Sequence, residues 1–275
     1  MNNFGKKLSF IVCATLVICG AVIFLYSNKP VSGSSSLTSN IVFEPDIPFI
    51  QNKIFGYSTK GKPIEGYEIG SGTNTLLLFG AIHGNEMGTA DLLNQLIETI
   101  KGDPELVAKN KKLIIIPIAN PDGYYDRTDK YNANGVNLNL NFDTSGWRLY
   151  GPDGYYAGPR PFSEVESQVL KKVVEEYYPS MMIAFHARGA LVSPEAGKES
   201  QALARWYAQK TGYDYYTDWD YFGTATRWFK ETKGHPAITV ELTSYLESDW
   251  AINKKALLEL ISSGTGLAMN RLGTF

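Results

Sequence analysis

TLLLFGAIHGNE, residues 75–86, decides how the rest of the chain is read. It opens on an apolar run, Leu76 to Phe79, bounded by turn residues, the signature of a strand buried on both faces. Gly80 and Gly84 let the backbone turn just past the strand's carboxyl end, where open α/β sheets place their ligands. His83 and Glu86 sit in that turn. A neutral imidazole and a carboxylate three residues apart reach one zinc ion if the chain turns between them. The same letters also spell a plain polar turn with a helix-starting Glu, because short motifs arise by chance. Residues further along separate the two readings.

Working outward, Leu92, Leu93, Leu96, Ile97 and Ile100 recur at helical spacing over residues 87–100, and Gly102 stops that helix. Residues 103–110 read as a short helix with Asp103 as cap and Pro104 at its first position. KLIIIPIA, residues 112–119, is a second buried strand. A third, residues 181–185, ends at His186, and a fourth, residues 237–242, carries Glu241. Between them lies a helix opened by Ser163 and Glu166 in capping-box spacing, with a stripe of Val165, Val169, Val173, Val174 and Tyr177. Further helices are expected over residues 199–211, 224–233 and 250–267, the last with Leu257, Leu260 and Ile261 facing inward. Residues 54–58 and 64–69 read as an edge hairpin about Lys60-Gly61-Lys62. Alternating buried strands and amphipathic helices imply an α/β fold: a mixed, largely parallel central sheet with helices on both faces. Residues 120–158 lack periodicity and are expected to form the site. Asn120-Pro-Asp-Gly123 is a turn by its own chemistry, and His235 an exposed turn residue.

Residues 8–26 are apolar or small and uncharged, with Lys6 and Lys7 before them. That length suits a membrane-crossing helix and exceeds the core of a typical signal peptide. Lysines ahead of it favour a cytoplasmic N-terminus. The expected organisation is a signal anchor and transmembrane helix (residues 1–28), a flexible linker (29–40) and a catalytic domain (41–275). The domain would be membrane-anchored on the extracytoplasmic side, in the periplasm or at the cell surface, or secreted if the segment is cleaved.

A net charge of −2 with no long run of one sign argues against a nucleic-acid surface, which needs a basic footprint. Both cysteines, Cys13 and Cys19, fall in the apolar run. The rest of the chain has no thiol, so any metal there is held by His and carboxylate. Two histidines and a carboxylate hold zinc and leave a fourth position for water, whose pKa zinc lowers toward neutrality. A further carboxylate off the metal accepts the proton and passes it to a leaving amine.

Several motifs together carry a resemblance: HGNE at 83–86, NPDG at 120–123, GVNLNLNF at 135–142, GPRPFSEVE at 158–166, FHARG with His186, GTATRW at 223–228, and ITVEL with Glu241. Over residues 54–260 the chain resembles the zinc metallocarboxypeptidases of the carboxypeptidase A fold. NANGVNLNLNF is most similar to their bacterial murein peptide amidase branch. The resemblance implies one zinc ion on His83, Glu86 and His186. It makes Glu241 general base and later acid, and Asn139 a holder of the substrate's carboxylate end.

Departures from the family pattern matter as much. The family's carboxylate-gripping Arg is Leu140 here, and leucine cannot replace a bidentate guanidinium. Arg127, Arg148, Arg160 and Arg227 are candidates to stand in. Either Lys130 or Arg127 would polarise the scissile carbonyl, Arg127 being preferred because a guanidinium suits the geometry. The lid-tyrosine slot falls at Trp219, with Tyr221 and Tyr216 near it. Thr226 falls in the specificity pocket beside Arg227, which suggests a polar or acidic substrate side chain such as a diaminopimelate carboxylate. The expected function is a zinc-dependent hydrolase of peptide bonds acting on cell-wall stem peptides or short peptides outside the cytoplasm. An N-acyl amino acid deacylase and an inactive peptide-binding relative are the alternatives.

Overall fold

Leu77 and Phe79 leave their strand on one side, Leu76 and Leu78 on the other, and each pair joins a different buried cluster. Successive side chains of a strand point to opposite faces, so this strand is covered twice. The computed structural model of the chain describes residues 48–127 and 130–263.

Among the described residues the sheet has eight strands: β1 Ile50–Tyr57, β2 Pro63–Ile69, β3 Asn74–Phe79, β4 Lys111–Ile116, β5 Met181–Ala187, β6 Leu191–Pro194, β7 Asp214–Tyr215 and β8 Ala237–Leu242. Their order is β1-β2-β4-β3-β5-β8-β6-β7. The central run β4-β3-β5-β8 is parallel, and the β1–β2 hairpin closes one edge antiparallel. One face carries α1 (Met87–Gly102), α4 (Lys198–Thr211) and α6 (Trp250–Ser262). The other carries α3 (Val165–Tyr177) and α5 (Ala225–Lys233). A short helix α2, Pro121–Asp126, sits on the turn after β4, with Asn120 Oδ1 accepting from Gly123 N at 3.0 Å.

Four local expectations give way. Residues 103–110 make only a 3-10 turn over Pro104–Leu106, because the Asp103 side chain caps nothing and Val107 is extended. Strand β4 stops at Ile116, since Pro117 has no N–H to continue the ladder. The capping box does not form. Glu164 is the cap position of α3, and Glu166 instead accepts the Thr59 amide at 2.9 Å. Val165 is exposed, and the buried stripe is Leu170, Val173 and Val174.

Gly80 and Gly84 are needed for space rather than for a left-handed turn, which falls at Ala81 (φ 42°). A Cβ on Gly84 would stand 2.5 Å from the carbonyl carbon of Gly123. Strands β6 and β7 escaped the sequence reading because they are short and lack an alternating pattern. The expected membrane segment, residues 1–28, lies outside the described residues. Among those described no helix is long and apolar enough to cross a membrane.

Candidate active site

Strand β3 ends at Phe79 and the chain turns back beneath the loop after β4. Gly80 N donates to Ile116 O, and Asn120 N to Ala81 O, each at 3.0 Å. The two turns press against each other at Gly84 and Gly123. This fixes His83 and Glu86 just before α1, at the carboxyl end of the sheet. His186 arrives at the same place from the neighbouring strand β5. All three are buried.

The Glu86 carboxylate spans the two imidazoles. Its Oε1 lies 2.8 Å from His83 Nδ1, and its Oε2 3.1 Å from His186 Nδ1. Oε2 nevertheless makes no hydrogen bond of acceptable angle. Ligand atoms from all three residues lie within 4.8 Å of one another, and zinc bound at about 2.0–2.1 Å would space its tetrahedral ligands by roughly 3.3 Å. Nitrogen and carboxylate donors in this number suit zinc, so the residues present fit the ion the sequence implies. Burial alone would raise the Glu86 pKa, but the charges of His83 and His186 overcome it. The carboxyl is held below the usual range.

Further contacts orient the rings. His83 Nε2 is 3.0 Å from Asn137 Oδ1, and His186 Nε2 is 3.3 Å from Asn139 Nδ2. Asn139 Oδ1 in turn accepts from Ala225 N at 3.2 Å, tying the loop to the start of α5. The Asn137 oxygen can take the outer ring N–H of His83, the kind of partner that sets ring orientation and ligand basicity at metal sites.

Glu241 stands opposite His186 in the β5–β8 register. Burial pushes its pKa up to about 7. The Glu86 charge acts the same way, and His186 and Lys130 act against it. A carboxylate tuned near neutrality beside a metal pocket can take a proton and return it.

These groups open into a cleft of about 540 Å³. It brings together most of the residues named from sequence: His83, His186, Glu241, Lys130, Asn139, Trp219, Tyr221, Thr226 and Arg227 all line it. Arg127 does not line it. It is an exposed residue closing α2 in a left-handed conformation. Arg227 is already engaged, with Nη1 2.7 Å from Asp220 and Nε 3.0 Å from Glu231. Trp219 packs edge-on between Tyr216 and Tyr221, at centroid distances of 5.6 and 5.8 Å. Leu140 is buried, and its side chain fills the space beside Gly151. It lines the cleft without offering the charge that the family pattern would place there. Arg148 and Arg160 are also absent from the lining. His235 is an exposed turn residue, as its place before a strand suggested.

The sequence reading missed Asn137, Arg188 and Glu195, all in the lining. The run of alternating asparagines in NLNLNF pointed toward Asn137. Arg188, which stacks 5.6 Å from the Tyr245 ring, lay inside the FHARG motif without being singled out, and nothing local marked Glu195, just past an unanticipated strand.

Residues 44–225 match the family model described as zinc carboxypeptidase. The chain is 28% identical over 247 residues to bacteriocin BCN5 of Clostridium perfringens, covering 81% of this chain and 26% of that protein. It is 23% identical over 245 residues to gamma-D-glutamyl-L-diamino acid endopeptidase 1 of Lysinibacillus sphaericus, covering 72% of this chain and 61% of that one. It therefore spans less than two thirds of either relative. The crystal structure of murein-tripeptide amidase from Escherichia coli O157 superposes with a TM-score of 0.60 at 20% identity, over 78% of this chain and 92% of the other. At that identity the likeness shows the fold.

Proposed function

The chain belongs to the zinc carboxypeptidase family, and from that premise we propose that it hydrolyses amide bonds of cell-wall stem peptides with Glu241 as general base. The observation that carries this reading is the convergence of His83, Glu86 and His186 on one point, with Glu241 in register beside it.

Zinc held by those three residues would supply a Lewis acid and lower the pKa of a water in its open position. Glu241 takes the proton from the attacking water and delivers it to the leaving nitrogen. Burial raises its pKa, the direction that lets a carboxylate keep a proton long enough to return it. Lys130, on the cleft wall, is the cation placed to stabilise charge developing on the scissile oxygen, a role Arg127 does not reach. Asn137 holds the His83 imidazole. Trp219 and Tyr221 form an aromatic wall for the substrate.

Leu140 steers the reading away from removal of a free C-terminal residue, since no guanidinium waits there for a terminal carboxylate. Relatives named for diamino-acid endopeptidase and murein-tripeptide amidase activity support a stem-peptide amide instead. The apolar residues 8–26 support an enzyme acting outside the cytoplasm on a membrane anchor.

The test is turnover of a panel of stem peptides by the zinc-loaded protein, read by mass spectrometry, with N-acyl amino acids alongside. Cleavage of the peptides, lost in Glu241→Gln with zinc retained, supports the proposal. Hydrolysis of acyl amino acids alone would replace it with the deacylase reading.

A further inference from the structure

The cleft holds one carboxylate that the chemistry above leaves unused. Glu195 follows β6, its amide anchored on Ala237 O at 3.0 Å. Its Oε1 accepts a hydrogen bond from Thr226 Oγ1 at 2.7 Å. Thr226 Oγ1 lies 3.4 Å from both Thr224 Oγ1 and Thr239 Oγ1. Three hydroxyls and one acid thus form a polar end to the cleft.

No cation of the described residues lies within ion-pair distance of Glu195. The guanidinium whose charge reaches it, Arg227, is already neutralised by Asp220 and Glu231, which themselves push the Glu195 pKa up. Lys230, also on the wall, donates to Gly234 O at 2.8 Å. Part of the Glu195 side chain meets the cleft, yet burial of its carboxyl is the main cause of its raised pKa. A carboxylate withdrawn from water is costly unless a cation meets it. Here the chain provides none, and the cleft leaves the carboxyl open to one arriving from outside.

Position adds to charge. Thr239 stands two residues before Glu241 on β8, so both point to the same face. Two residues of strand span roughly 7 Å, which is the reach of a lysine-length side chain. A substrate amide poised at Glu241 can therefore extend a side chain to the Thr226–Glu195 end.

We propose that Glu195 is the specificity-determining residue of the cleft and receives the ammonium group of a diamino acid in the substrate. This rests on the hydrolase reading above and names its substrate class. It replaces the expectation that Thr226 beside Arg227 would select an acidic side chain.

Two tripeptides test it: L-alanyl-γ-D-glutamyl-L-lysine and its norleucine counterpart, which lacks the ammonium. The zinc-loaded protein is expected to favour the lysine peptide in kcat/KM by roughly 100-fold, the scale of a charged hydrogen bond. Glu195→Gln should reduce that preference to about tenfold or less. Glu195→Lys should turn preference toward the analogue ending in glutamate, a gain that misfolding cannot imitate. A wild-type ratio near one, or a ratio that survives both substitutions, overturns the proposal. Calorimetric titration of zinc-loaded Glu241→Gln protein with the same peptides separates the two claims. Lysine-selective binding without cleavage by the wild type would sink the hydrolase reading and leave the Glu195 site standing. Equal binding would sink the site.

Discussion

His186 and Glu241 are paired residues on adjacent parallel strands, so one register sets a proposed metal ligand beside the proposed general base. A slip of one residue would turn Glu241 to the opposite face of the sheet. The register is secured from both sides, because Ile183, Phe185 and Val240 are packed into one core and Met182, Ala184 and Ala237 into the other.

Glu241→Gln keeps the side chain's shape and removes its basicity. Hydrolysis should fall by roughly 10²–10⁴ in kcat, the usual worth of a general base. Zinc content and thermal stability should stay at wild-type levels. Loss of zinc in this variant would show that Glu241 is a ligand and not a base.

The metal-free protein should grow less stable as pH rises from about 4.5 to about 7. Glu241 titrates near 7 when folded, against 4.5 as its ordinary value. The folded state then binds more protons than the unfolded one across that interval, and stability falls with pH. Partly exposed as it is, Glu241 should contribute on the order of 1–3 kcal/mol. Glu195, also raised, acts in the same direction. Melting of the chelated wild type and of Glu241→Gln from pH 5 to 8 checks this, and the variant should show the shallower slope. Below pH 4.5 Glu86 acts oppositely, since its depressed pKa makes acid destabilising.

The parallel sheet and its double cover were legible because buried strands are near-continuous apolar runs, and the His83, Glu86 and His186 cluster because its motifs resemble a known family. His186 and Glu241 lie near the carboxyl ends of two of those runs and His83 in the turn after a third. Glu195 and Arg188 were not legible. Glu195 follows the short strand β6, Arg188 the end of β5 two residues after His186, and only the folded chain brings them to the cleft. Arg127 and Lys130 are three residues apart in the sequence, and spacing alone could not say which of them faces inward. The Glu164 cap shows the same limit: Ser163 and Glu166 had the right spacing, but Glu166 found the Thr59 amide.

Gly84→Ala should destabilise the protein by about 1–3 kcal/mol, an overpacking cost. The new methyl would sit 2.5 Å from Gly123 backbone and push the two turns apart. Zinc affinity should fall with it, because His83 rides on that turn. Gly102→Ala is the control. A Cβ there meets nothing within 4 Å, and the end of α1 should gain up to roughly 1 kcal/mol. Chemical denaturation of the three proteins compares them, and equal stability would refute the close-approach explanation.

Lys130→Ala should lower kcat by roughly 10²–10³ if its ammonium stabilises the developing oxyanion. Arg127→Ala, altering an exposed residue outside the cleft, should change kcat by less than about twofold, a surface-substitution effect. The reverse order of effects would move the role to Arg127.

Anomalous diffraction at the zinc absorption edge, from crystals of the zinc-loaded protein, tests the metal centre most directly. One peak is expected per chain, within about 2.0–2.2 Å of a His83 nitrogen, a His186 nitrogen and a Glu86 carboxylate oxygen, with Glu241 off the metal. A peak bound elsewhere, or none among these residues at full zinc loading, would contradict the site.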